Sequence, residues 1–151
     1  MNIVDTIDNF DINNIYFTPS FENNIIDNGI FSKMIYSTPS ISLNGIYILV
    51  SFHYTTVEKN HYNKFKISWN EMNNKIICNK IKKIESSILN KYSKSNNSLI
   101  LSSTLDNNTI RIFSENINLK SNTDFLLRIS GVWDNGENCG ITYKFLEMNG
   151  I

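Results

Sequence analysis

Between Ile46 and Tyr54 every second residue is apolar. Ile46, Ile48, Val50, Phe52 and Tyr54 fall on one parity, and Tyr47, Leu49, Ser51 and His53 on the other. A period of two is that of a β-strand with one face turned to a core. The same period returns in Tyr62 to Asn70, where Phe65, Ile67 and Trp69 alternate with Lys64, Lys66 and Ser68. After Met72-Asn73-Asn74 the period changes. Ile77, Ile81, Ile84, Ile88 and Tyr92 recur at helical spacing, which predicts one amphipathic helix over about residues 76–92. Alternation then resumes. This switch from strand to helix and back is the strongest limit on the fold.

Shorter signals fill in the rest. Ile15 to Phe17 and Phe31 to Tyr36 read as strands, the second ending at Ser37-Thr38-Pro39. Asn44-Gly45 reads as a turn or bulge. Leu99-Ile100-Leu101 is an apolar run in a segment that reads as β. Asp106-Asn107-Asn108 reads as a hairpin turn into Thr109 to Phe113. Leu126 to Trp133 and Ile141 to Met148 read as a hairpin with a long loop. The expected fold is therefore mainly β, with five to seven strands and one helix. It closes as a small antiparallel OB-like barrel, or alternatively forms a β-sandwich. The 151 residues make a single domain, with residues 1–30 as an ordered edge or a swapped arm.

Several function classes find no support. No apolar run reaches the roughly 18 residues of a membrane span. Met1 to Asp5 does not begin a signal peptide. His53 and His61 sit in no metal spacing and read as surface residues. Cys78 and Cys139 are far apart, with no CxxC pair, and read as reduced, buried small hydrophobes. There is no Gly-rich phosphate loop, no GxSxG elbow and no paired carboxylates. The expectation is a protein without catalytic activity, metal or cofactor.

Charge is the remaining clue. The chain holds 14 bases and 14 acids, so its net charge is zero. Residues 1–50 carry −4, residues 51–94 carry +6 and residues 95–151 carry −2. Ala and Gln are absent and Arg occurs only at Arg111 and Arg128, a skew typical of AT-rich genomes. Lysine abundance by itself is therefore weak evidence. Position says more. If the apolar parities face inward, Lys64 and Lys66 project outward, and so do Arg128 and Lys144 on the C-terminal hairpin. Tyr47, His53 and Tyr62 lie near them. Bases with interleaved rings suit a flexible single strand, whose phosphates meet the cations and whose bases stack. On the same parity argument Trp69 and Trp133 both belong to the core.

Five segments carry a family resemblance: Tyr36 to Ile48, Tyr62 to Ile67, Ile84 to Leu89, Phe125 to Trp133 and Gly140 to Phe145. Their order is an apolar strand after a Pro turn, a basic strand, a helix with a Glu, and a late Gly-Val-Trp hairpin. It resembles uncharacterised short proteins of large nucleocytoplasmic (giant amoeba-type) DNA viruses, and is similar in pattern to phage-type OB-fold single-stranded DNA-binding proteins. The resemblance implies a viral single-strand nucleic-acid-binding protein of the host cytoplasm, viral factory or virion. Its site would comprise Lys64, Lys66, Arg128, Lys144, Tyr47 and Tyr62. The alternative is a viral structural or assembly β-protein, or a protein that binds a host factor. Its partner would then be a viral or host protein.

Overall fold

The computed structural model describes residues 4–23, 29–59, 64–93, 96–114 and 123–148. The long strands form where the alternation is longest. These are β4 (Gly29–Ser37), β6 (Ile46–Ser51), β8 (Lys64–Ser68), β9 (Thr109–Phe113), β10 (Asp124–Asp134) and β11 (Cys139–Glu147). Short strands β1 (Val4–Thr6), β2 (Ile15–Phe17), β3 (Phe21–Asn23), β5 (Ser42–Asn44) and β7 (Thr56–Lys59) complete the set. Helix α1 (Lys75–Tyr92) occupies the stretch where the period changes, and a second helix, α2 (Ile100–Asp106), follows it.

The main sheet runs β1-β6-β10-β11-β9-β8-β7. It is mixed: β1 pairs parallel with β6, and β9 parallel with β11. It is also open, since its path ends at β1 and β7. A closed, all-antiparallel barrel is therefore not shown among the described residues, where an open sheet or a β-sandwich fits. The path ends at β1 and β7 without their pairing, and the two helices pack on one face of the sheet.

Strand β10 organises the whole. Along one edge it pairs β11 from end to end. Along the other its first half (Asp124 to Ile129) pairs β6, and its second half (Gly131 to Asp134) pairs β4. Beyond that contact β4 continues into pairing with β2 and β5. There Ile15, Met34 and Tyr36 are buried in the same core as α1. Gly45, at φ +79°, makes the turn from β5 into β6, and a Cβ there would lie 2.8 Å from the Ile129 carbonyl oxygen.

The core lies between the sheet and the helices. It joins Ile46, Ile48, Val50 and Phe52 to Phe125, Leu127 and Ile129, and these to Phe145, Ile110, Ile112 and Ile67. Cys78, Ile81, Ile84, Ile88 and Leu89 meet them from α1. Each such side chain contributes about 1.5–3 kcal/mol when fully buried. Both cysteines are buried and unbonded. Trp69 is 5% exposed and stacks on Phe52 with ring centroids 5.1 Å apart.

Several sequence expectations are corrected, since the described residues form eleven strands rather than five to seven and two α-helices rather than one. Leu99 to Leu101 leads into helix α2 rather than forming a strand, so Asp106 to Asn108 is a helix-to-strand turn and not a hairpin. Glu85 of α1 explains why a segment rich in Ser and Thr holds helical form. Its buried carboxylate accepts hydrogen bonds from the backbone N–H of Leu101 (2.9 Å) and Ser102 (2.8 Å), and from the Ser102 hydroxyl (2.5 Å). These donors lie in the first turn of α2, where intrahelical acceptors are lacking. Trp133 also departs from expectation. A bulge between Ile129 and Gly131 inserts Ser130 and reverses the parity of the rest of β10. Val132 takes the core side opposite Ile141, and Trp133 moves to the other face, half-buried over Gly140.

Candidate functional site

Register decides which side chains share the sheet face away from the helices. Tyr47 of β6 pairs Arg128 of β10, and Arg128 pairs Lys144 of β11. On the far side of the β9–β11 contact, Arg111 of β9 pairs Lys66 of β8. Tyr47, Arg128 and Lys144 therefore form one row across three strands, and Arg111 and Lys66 lie beyond the β9–β11 contact, where Lys144 and Arg111 are not themselves paired. Lys64 lies in the next row, opposite Phe113. Of the six expected site residues, the fold brings Tyr47, Lys64, Lys66, Arg128 and Lys144 onto one face. Tyr62 lies outside the described residues. His53 is exposed beyond the end of β6, and its backbone N–H and C=O are both held at 2.8 Å by the side-chain amide of Asn74.

The cations on this face rest on rings. Arg128 lies 5.7 Å from the Tyr47 ring centroid. Lys144 and Lys64 both approach Phe113, at 4.1 Å and 5.3 Å. Such contacts hold a charge in place without neutralising it. Among the described residues, none of Lys64, Lys66, Arg111, Arg128 and Lys144 forms an ion pair. The acids on the same face are few. Glu58 sits opposite Lys66, and Asp124 accepts a hydrogen bond from Ser51 at 2.5 Å.

A recess separates the two groups. The parallel strands β9 and β11 share only the pairs Phe145–Ile112 and Leu146–Phe113, then part toward their N-terminal ends. The gap is about 510 Å³, with α2 beneath it. Lys66, Arg111 and Lys144 stand on its outer-face positions, and no acidic residue lines it among the described residues. Arg111 was not among the expected site residues. The signal was available: the alternation Thr109, Arg111, Phe113 against Ile110, Ile112 puts it outward, in a chain with only two arginines.

Three lysines of α1 are placed differently. Lys80 pairs with Asp8 at 2.7 Å, and Lys82 pairs with Asp106. Lys91 donates to the Ile12 carbonyl at 2.9 Å and covers the Tyr16 ring. They fasten the N-terminal segment and α2 to α1. Among the described residues, no three His, Cys, Asp or Glu side chains gather as a metal site. No helix among them is long and apolar enough to cross a membrane. No family model, curated protein or solved structure matches the chain.

Proposed function

We propose that the open face of the sheet binds single-stranded nucleic acid and performs no reaction. Phosphates meet Lys64, Lys66, Arg111, Arg128 and Lys144, and bases stack on Tyr47 and Phe113. The observation that carries this reading is a set of cations that form no ion pair among the described residues, placed among rings on the sheet face away from the helices. Cations left without acids keep their full charge for an anion. Rings at intervals favour unstacked bases over a duplex, whose bases are already paired and stacked. Reading a duplex by its base edges would need a helix or ribbon reaching into its groove, and these positions belong to the plane of the sheet.

Fluorescence anisotropy with a labelled single-stranded 30-mer tests the proposal. With five phosphate contacts, affinity falls about a hundredfold between about 50 mM and about 200 mM salt. A duplex of the same length binds more weakly at both. Absence of binding at the lower salt, or equal affinity for duplex, overturns it.

A further inference from the structure

We infer that the recess between β9 and β11 is a nucleotide pocket, taking one nucleobase inward while Lys66, Arg111 and Lys144 hold its phosphate at the mouth. This rests on reading the face as a phosphate-binding surface, and adds a specific ligand for the gap in it.

The recess is layered by depth. Its three cations occupy outer-face positions. Ile110 and Phe145 are buried on the helix-side parity and Tyr143 is half-buried there, while Ile100 of α2 and Asn107 just after it line the same recess from exposed positions. An inorganic anion would use the mouth alone. A ligand with a charged end and a flat, partly apolar body uses both layers. A volume of about 510 Å³ lies within the usual range for small-molecule sites.

Hydrogen-bonding capacity points the same way. Thr104 and Thr109 already donate, to the Ile100 carbonyl at 3.0 Å and the Ile67 carbonyl at 2.8 Å. The side-chain amide of Asn107 and the hydroxyl of Tyr143 have no hydrogen bond among the described residues. An amide offers a donor and an acceptor side by side, which is the pattern on the edge of a nucleobase. The Tyr143 ring, set edge-on to Phe145 with centroids 5.9 Å apart, gives the base a wall.

The test is calorimetric titration of the full chain with AMP, CMP, GMP, UMP and inorganic phosphate at low salt, beside the labelled 30-mer. At least one monophosphate binds about tenfold tighter than inorganic phosphate, the gain expected from burying a base against a ring. Asn107→Ala, at an exposed position, lowers that nucleotide's affinity about fivefold and leaves phosphate binding unchanged. Thr104→Trp fills the recess from α2 and removes the preference for nucleotide over phosphate. If all four monophosphates bind no tighter than phosphate while the 30-mer binds, the pocket is refuted and the strand-binding face stands. A nucleotide preference that survives both substitutions also refutes it. If neither phosphate nor the 30-mer binds, both readings fall together.

Discussion

The two faces of the sheet treat charge in opposite ways. On the helix side, several ionised groups have partners within the protein, while Lys75 and Lys83 of α1 are exposed with no ion pair among the described residues. Glu85 receives three donors from α2, Glu147 receives the Ser114 hydroxyl, and Lys80, Lys82 and Lys91 each hold an acid or a carbonyl. On the open side, Lys64, Lys144 and Arg128 rest on rings, and Lys66 and Arg111 stand at the mouth of a recess. The region richest in lysine supplies both sets, so composition does not separate them. Partners do. A charge satisfied internally supports the fold, and a charge left over is available to something else.

The contrast can be broken by substitution. The largest effect belongs to Glu85→Ala. It strands two buried N–H groups and a hydroxyl, and costs about 3 kcal/mol in denaturant unfolding. Where the variant remains folded, strand affinity falls only through the loosened α2 beneath the recess. Arg111→Glu with Lys144→Glu gives the reverse pattern. Affinity for the 30-mer drops about a hundredfold, and the salt slope shrinks by about 1.4, or 0.7 for each lost contact. The melting temperature hardly moves. A large loss of stability in that double variant would collapse the distinction between the faces.

Alkaline pH sharpens the comparison from the helix side. Burial raises the thiols of Cys78 and Cys139 above the ordinary value of 9.0. Burial also raises the hydroxyls of Tyr54 and Tyr92 above 10.0, with the Glu147 charge adding to Tyr54. An acid whose value is raised holds its proton more tightly folded than unfolded. Its contribution is complete below the ordinary value and is lost as pH rises past it. The melting temperature is therefore flat up to about pH 8.5 and falls above about pH 9, as scanning calorimetry would record. The smallest effect is that of Lys80→Glu. Its ion pair with Asp8 is exposed, so stability changes by about 0.5 kcal/mol, and 30-mer affinity changes less than about twofold because the lysine lies off the open face.

Much of this architecture is legible from periodicity. Helix α1 and strands β6, β8, β10 and β11 follow directly from runs long enough for a period to show. Outward Lys64, Lys66, Arg128 and Lys144 follow from the same alternation. Helix α2 does not, because Leu101 and Leu105 are a single helical repeat among Ser and Thr. What holds it is Glu85, distant in sequence. The bulge at Ser130 is equally invisible, since one inserted residue leaves no mark on composition yet turns Trp133 over. The recess is a property of pairing: β9 and β11 lie parallel and part after two residue pairs. No local pattern encodes where two strands separated by β10 stop touching.

That one inserted residue also separates the two tryptophans optically. Trp69 sits in the apolar core against Phe52, its indole N–H without a partner, so its emission reports the state of the helix layer. Trp133, half-buried over Gly140, looks out from the opposite surface four residues along β11 from Lys144. A quencher added to the folded protein reaches Trp133 before Trp69. The chain thus carries two fluorescent reporters, one for the core and one for the opposite face of the sheet.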